Sequence, residues 1–360
     1  MNLKLAFLYS ALFCLTACSH TEELAAGPDV GQMPGDDFVG FGAVSKAGAV
    51  DPDDDYLHNT FIHNSSFLRI YNNYVGDDLD FTDDAGFKWY VYDEELSNLT
   101  GGQYNFRPMD GRGFRWSELK TEGGGGYKFD AIVFPHFHKY RSEGYADQRP
   151  DENFLASDIL MAHHVQLESE YGRKVSLHFW HVLSMVRVKV FLHKYNPADN
   201  TGFGLGAIDH VVLPKMLTRF NYQFNKAVSS DQSPGVETVT EERADVTMRP
   251  LYDTVRFEGV EEGKDIHGHD CYVYGFAAII PEQEMTETEV ILRLKLHTVD
   301  NQERVYVYVP SVGDANISVA AGTITDLHLI IKEDDNKAFL VKTEIKPWME
   351  ASADMSLEKE

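Results

Sequence analysis

Apolar and polar residues alternate along several short stretches of the chain. In EVILRLKLH (289–297), the aliphatic residues fall on one face and the basic residues on the other. Similar alternation occurs in RVYVYVP (304–310), which places its valines on one face, and in KAFLVKTEIKPW (337–348). Period-two alternation is typical of half-buried strands, whereas helical periodicity is weak and has its best short candidate in PDENFLASDILMAHH (150–164). The pattern predicts an all-β chain.

The most informative stretch is KVSLHFWHVLSMVRVKVFLHKYN, residues 174–196. Its first half is apolar at odd positions as far as Phe179, and its second half is apolar at even positions from Val186 onward. A strand cannot exchange its faces without a bulge, a turn or a crossing between sheets. We therefore predict two strands joined through WHVLSM (180–185). This prediction disfavours a helix in which His178 and His181 would form a metal-binding pair.

The strand-like runs divide evenly, about seven before residue 165 and about eight or nine after it. A chain of 360 residues is also too long for one small core. We predict two tandem β-sandwich domains, an N-terminal one over residues 36–168 and a C-terminal one over residues 169–350. Residues 351–360 are a polar tail.

The first residues have a different character from the rest of the chain. MNLKLAFLYSALFCLTAC has one lysine, Lys4, and then an apolar run that is too short for a convincing membrane span. It ends in LTAC, which is similar to the bacterial lipobox, where a cysteine thiol carries a diacylglycerol. We predict a signal peptide over residues 1–17, lipidation of Cys18 and a flexible tether over residues 18–35.

Charge and cysteine content narrow the possible partners. The formal net charge is −25, so phosphate backbones and anionic lipid headgroups repel the chain. Nucleic acid is not an expected partner, and we expect attachment to the membrane through acyl chains. Cys14 leaves with the signal peptide and Cys18 is acylated, so Cys271 remains alone and no internal disulfide forms.

The chain carries none of the common catalytic motifs, such as G-x-S-x-G, H-E-x-x-H or a Walker A loop. The segment DIHGHDC (265–271) does concentrate metal-ligating side chains, namely Asp265, His267, His269, Asp270 and Cys271. Zinc could use some of them, but no matching pair at a known spacing occurs elsewhere. We expect no enzyme activity, no cofactor and no metal site.

Residues 179–190, FWHVLSMVRVKV, resemble an apolar strand of the fimbrillin family of Bacteroidales, lipoprotein subunits of type V pili and their relatives. The matching positions are Phe179, His181, Leu183, Ser184 and Val186. Further segments resemble family motifs in the same order along residues 1–350: the lipobox at Cys18, GDDFVGFGAVSKAG, FDAIVFP, SDILMA, AIIPEQ and LVKTEIKPW. Each motif is weak alone, and their order is the specific part.

The resemblance implies transthyretin-like sandwiches and assembly by donor-strand exchange with other fimbrial subunits. It implies release of a first strand that contains Phe38, Val39, Phe41 and Val44, after cleavage at Lys46, where family members often have arginine. The strand containing Phe339, Val341, Ile345 and Trp348 would be either the donated strand or the closing strand of the second sandwich. Phe179 and His181 would be structural markers of the family.

A protein of this kind would be a stalk, tip or anchor component of fimbriae at the outer membrane, held by lipid on Cys18 and able to contact a host or bacterial receptor. The alternative is a lipid-anchored protein that binds glycans or peptides without polymerising. Its binding platform would use exposed aromatic residues such as Trp89, Tyr90, Tyr92 and Trp116, although core positions are the favoured place for such rings.

Overall fold

A computed structural model describes residues 37–44, 67–72, 87–93, 104–121, 126–134, 142–223, 235–240, 242–251, 261–285, 289–310, 317–332 and 338–347. The all-β prediction is confirmed, because the described residues form 21 strands and one short α-helix. None of the helices in this part of the chain is long and apolar enough to cross a membrane.

The N-terminal half contains seven strands and the helix. The strands are β1 Phe41–Val44, β2 Phe67–Asn72, β3 Phe87–Tyr92, β4 Tyr104–Pro108, β5 Tyr127–Phe134, β6 Leu160–Gln166 and β7 Val175–His181; the helix α1 is Asp151–Ser157. They pair in the order β1-β4-β3-β2-β5-β6-β7, and β1 also pairs with β7. The sheet therefore closes into a barrel, and β1 is the strand that completes it.

The C-terminal half holds the remaining strands: β8 Ser184–His193, β9 Ile208–Leu217, β10 Phe220–Gln223, β11 Gly235–Thr238, β12 Arg243–Thr247, β13 Arg249–Pro250, β14 Glu261–Lys264, β15 Asp270–Ile280, β16 Gln283–Met285, β17 Leu292–His297, β18 Glu303–Tyr308, β19 Ile317–Val319, β20 Thr323–Ile331 and β21 Phe339–Pro347. One sheet has the order β12-β9-β17-β18, and a second has the order β13-β15-β8-β20-β21 with β14 beside β15. Buried residues of both sheets share one core, as expected for a β-sandwich.

The predicted change of phase after β7 is confirmed. Alternate residues of β7 are buried up to His181, every residue from His181 to Val186 is buried, and β8 alternates from Val186 with its even positions inward. β7 pairs with barrel strand β6 up to His181, and β8 pairs with β15 of the C-terminal sheet from Ser184.

A third apolar cluster joins the two halves, and we call it the interface core. It combines barrel residues with residues of the C-terminal half: Tyr71, Phe87, Ile132, Phe154, Ile159, Met161, Val182, Leu183, Met185, Phe220, Tyr222, Val236, Ala277, Ile279 and Ile324. The buried Gln148 side chain reinforces this joint, because its amide donates to the Ile279 carbonyl at 2.7 Å and accepts from the Ile279 N–H at 2.8 Å.

The predicted helical candidate at 150–164 divides between two kinds of structure. Only Asp151–Ser157 is helical, with Pro150 just before it and two acidic residues in its first turn. The acidic residues favour a helix start, because they complement the positive end of the helix dipole. The chain then extends, and Leu160–Gln166 becomes strand β6.

Candidate functional site

The first described segment of the chain, residues 37–44, lies between β4 and β7. Strand β1 is antiparallel to β4, with Phe41 opposite Phe106, and parallel to β7, with Phe41 opposite Val175. The N–H of Val39 donates to the Phe114 carbonyl at 2.9 Å, and the Gly40 carbonyl accepts from the Val175 N–H at 2.9 Å. Hydrogen bonds on both sides therefore hold the segment in place.

Two side chains of this segment fill the barrel. Val39 is fully buried and Phe41 is 1% exposed. The Phe41 ring makes edge contacts with Tyr90 at 4.8 Å and with Phe129 at 5.1 Å between ring centroids. Complete burial is worth about 1.5–3 kcal/mol for each side chain. The segment is thus part of the barrel core.

The Tyr90 hydroxyl connects this segment to the loop after β4. It accepts a hydrogen bond from the Phe114 N–H at 2.8 Å and donates to the Val39 carbonyl at 3.4 Å. Burial raises the pKa of Tyr90, so the hydroxyl keeps its proton at ordinary pH. Gly113 permits this close packing, because a Cβ there would lie 2.4 Å from the Pro108 ring.

The same loop covers the start of the segment. Phe38 forms an isolated bridge with Arg115, whose guanidinium carbon lies 4.2 Å from the centre of the Phe38 ring. The Asp37 carbonyl accepts from the Trp116 N–H at 2.9 Å, and its carboxylate accepts from the Ser117 hydroxyl. These contacts lie at the surface of the barrel, whereas Val39 and Phe41 lie inside it.

The structure locates the residues predicted for the first strand, but not the predicted lipidation and cleavage sites. Phe38, Val39 and Phe41 lie in the segment just described, and the backbone of Val44 ends β1. Cys18, Lys46 and Trp348 lie outside the described residues, so lipidation and cleavage stay predictions.

The predicted donor or closing strand is β21. Its backbone, which includes Phe339 and Val341, runs antiparallel to β20 along Thr323–Ile330. Among the described strands it is the outermost of its sheet, and Ile345 is 51% exposed. Pairing from Phe339 to Pro347, interrupted by one irregularity at Val341, suits a closing strand. The position at a sheet edge is what a mobile donor would need.

The two family-marker positions lie on β7, the neighbour of β1. Phe179 is buried in the barrel core. His181 is buried on the last residue of β7, where its Nδ1 lies 2.8 Å from an Asp158 carboxylate oxygen. His178 is exposed on the same strand, so the two histidines lie on opposite faces and a His178–His181 metal pair is excluded.

The aromatic platform predicted for a glycan- or peptide-binding protein does not form. Tyr90 is fully buried and Trp116 is 2% exposed, while Trp89 and Tyr92 are half-buried. Rings inside a core cannot stack on a sugar, because stacking needs an open flat face. Tyr90 and Trp116 are core residues of the barrel.

The segment 265–271 comprises the turn between β14 and β15 and the first two residues of β15, and the structure adds His193 of β8 to it. Burial alone would raise the pKa of Asp265, but hydrogen bonds from His269 and His193 outweigh burial and hold it below its ordinary range. Burial raises the pKa of Cys271 to about 11. His193 could not be assigned to this cluster from sequence, because 72 residues separate it from Asp265.

Comparison with solved structures identifies the fold. A proposed cell adhesion protein from Bacteroides uniformis matches at 13% identity and a TM-score of 0.50, covering 89% of this chain and 100% of that chain. A second from Bacteroides ovatus has 13% identity and a TM-score of 0.45, covering 81% and 90%. The tip fimbrial protein Mfa3 from Porphyromonas gingivalis has 9% identity and a TM-score of 0.37, covering 86% and 100%.

No family model and no curated protein matches the sequence. The fold match to the proposed adhesion protein from Bacteroides uniformis confirms, at the level of fold, the resemblance found in the sequence.

Proposed function

We propose that this chain is a structural or adhesive component of bacterial surface fimbriae, assembled by donor-strand exchange. The observation that carries the proposal is the position of β1, which closes the barrel by pairing with β4 on one side and β7 on the other. The likeness in fold to the Bacteroides uniformis adhesion candidate supports it. The role does not require catalysis, cofactor or metal.

Release of the first strand would create a binding groove with a defined chemistry. The facing edges of β4 and β7 would lose their backbone partners, and the rings of Tyr90 and Phe129 would lose their contact with Phe41. An extended strand from another subunit restores both kinds of contact. Refilling the sites of Val39 and Phe41 alone recovers about 3–6 kcal/mol before ordering costs.

Processing decides where such a subunit sits in a filament. A chain cut at Lys46 loses its first strand and can accept one from a neighbour. An uncut chain keeps Phe41 in the groove and occupies an end of the filament as anchor or tip. Lipid on Cys18 would hold an uncut chain to the outer membrane, because the tether precedes the barrel.

The test is the N-terminus of the protein found in filaments. Filaments are sheared from cells labelled with palmitate, and the incorporated chain is sequenced from its N-terminus. Matched strains carry Lys46→Ala and Lys46→Arg; the Cys18→Ser strain controls for the lipid label. We expect a start just after Lys46 in an internal subunit, or a labelled Cys18 in a terminal one.

The two variants at residue 46 separate processing from assembly. If cleavage occurs after Lys46, the Lys46→Ala chain is not incorporated at internal positions of the filament, whereas the Lys46→Arg chain is. A wild-type chain that is absent from filaments, and joined to no other subunit, overturns the proposal.

A further inference from the structure

The tip of the β14–β15 hairpin and the end of β8 bring together four side chains with metal-binding atoms. Cys271 and His193 are direct partners in the antiparallel ladder between β15 and β8. Directly opposite residues in such a ladder project to the same face. Asp265 and His269, from the turn of the hairpin, extend over that face and complete the set.

The distances show how close these atoms lie. The Nε2 atom of His193 is 2.8 Å from Oδ2 of Asp265, and Nδ1 of His269 is 3.1 Å from the same oxygen. The two imidazole rings are 4.8 Å apart. The ligand atoms of His193, Asp265 and Cys271 all lie within 4.8 Å of one another.

The turn fixes the carboxylate in this position. Oδ1 of Asp265 accepts from the backbone N–H groups of His267 at 2.8 Å and His269 at 2.9 Å. Gly268 has a φ of 84°, a conformation that glycine adopts readily. The Asp265 side chain is fully buried, and its second oxygen faces the two imidazoles.

We propose that His193, Asp265, His269 and Cys271 form a tetrahedral zinc site. Two imidazoles, one carboxylate and one thiolate are ligand types that Zn²⁺ accepts, and softer thiolate ligation disfavours Mg²⁺ and Ca²⁺. Zinc–ligand bonds of about 2.0–2.3 Å place ligand atoms of a tetrahedron about 3.3–3.6 Å apart. His193, Asp265 and Cys271, whose ligand atoms lie within 4.8 Å of one another, reach that spacing by shifts of about an ångström. The half-exposed His269 ring, already 3.1 Å from the Asp265 carboxylate, supplies the fourth ligand by turning toward the same point.

Bound zinc would tie the hairpin tip to β8. Three ligands come from one segment of seven residues, and the fourth, His193, comes from the neighbouring strand. The metal would replace the His193–Asp265 hydrogen bond, and the Cys271 thiol would lose its proton on binding. A ligand that binds only the folded chain stabilises it according to its free concentration over its Kd.

A second histidine–aspartate pair in the same half supplies a matched control. Nε2 of His297 lies 2.8 Å from Oδ2 of Asp209, the same separation as in the proposed site. No cysteine is part of that pair, since Cys271 is the one cysteine among the described residues. Loss of His297 should therefore leave zinc binding unchanged.

The experiment uses the purified full-length chain with Cys14→Ser and Cys18→Ser, so that Cys271 is its one thiol, and the protein is stripped of metal with a chelator. Zn²⁺ is titrated by calorimetry, and Co²⁺ is titrated as a spectroscopic probe. We expect one equivalent of each metal, tetrahedral d–d bands for cobalt and a thiolate-to-cobalt charge-transfer band. Cys271→Ser should abolish the charge-transfer band, and His193→Ala or His269→Ala should weaken zinc binding at least tenfold.

Folding of each variant is checked by circular dichroism, since Cys271 and His193 are part of a packed ladder. His269→Ala changes a half-exposed side chain and supplies the test if the others do not fold. Absence of stoichiometric zinc binding by the wild-type chain overturns the proposal. A charge-transfer band that survives in Cys271→Ser, or equal loss of affinity in His297→Ala, also overturns it.

Discussion

Replacing Phe41 by alanine tests whether the first strand is part of the barrel core. Phe41 is 1% exposed and is the point where β1 meets both β4 and β7. The substitution removes a ring from the barrel and leaves the backbone pairing of β1 possible. Any effect therefore reports on side-chain packing.

The expected loss follows from the contacts of the ring. Full burial of a phenylalanine contributes about 1.5–3 kcal/mol. Edge contacts with Tyr90 and Phe129 add about 0.5–1.5 kcal/mol each. The total agrees with the range of about 3–5 kcal/mol measured for phenylalanine-to-alanine changes in protein cores. Phe41→Ala should lower the free energy of unfolding of the barrel by this amount.

Urea unfolding measures the loss of unfolding free energy, and amide hydrogen exchange shows which strands are destabilised. Amides of β4 and β7 should lose protection in Phe41→Ala more than amides of β17, which lies in the C-terminal sandwich. The control is Phe38→Ala, which removes a half-buried ring whose guanidinium contact is worth about 0.5–1 kcal/mol. A loss below about 1 kcal/mol for Phe41→Ala, or one equal to that of Phe38→Ala, would contradict a core position for the Phe41 ring.

Two further changes probe other joints of the fold. Gln148→Ala should cost about 2–4 kcal/mol in urea unfolding, because it leaves the buried N–H and carbonyl of Ile279 without these partners; Gln148→Glu should recover only part of the loss. Gly202→Ala should lower the melting temperature sharply, because Gly202 has a φ of 98° and a Cβ there would lie 2.3 Å from the Lys194 carbonyl oxygen. Gly204→Ala, where a Cβ meets nothing within 4 Å, is the matched control and should have little effect.

Alternation predicted where strands lie, but it did not always predict which face of a strand is buried. In β17 the leucines are buried, as the pattern indicates. In β18 the valine face is the outer one: Val305 is exposed, as is Val309 just after the strand, whereas Tyr306 and Tyr308 are buried. Alternation gives the period, and both faces of this strand are apolar enough for a core. Which face packs is decided by the second sheet.

The candidate sites depended on contacts between distant parts of the chain. The phase change at 180–185 could be predicted because it lies within one continuous segment. Closure of the barrel by β1 could not be predicted from the sequence pattern, because the pairing of Phe41 with Val175 joins residues far apart in sequence. For the same reason, His193 could not be predicted to join Asp265 and Cys271, which the β8–β15 ladder brings close to it. Local periodicity carries no information about such partners.

The division of the cores explains how a strand could leave the barrel without separating the two halves. Val39 and Phe41 belong to the barrel core, and none of the described residues 37–44 belongs to the interface core. The interface core takes its barrel side chains from other strands, such as Phe87 of β3 and Met161 of β6. Release of β1 would therefore open one apolar groove while the joint between the halves keeps its packing. In the proposed donor-strand exchange, a strand from another subunit would refill the barrel core without changing the packing of the interface core.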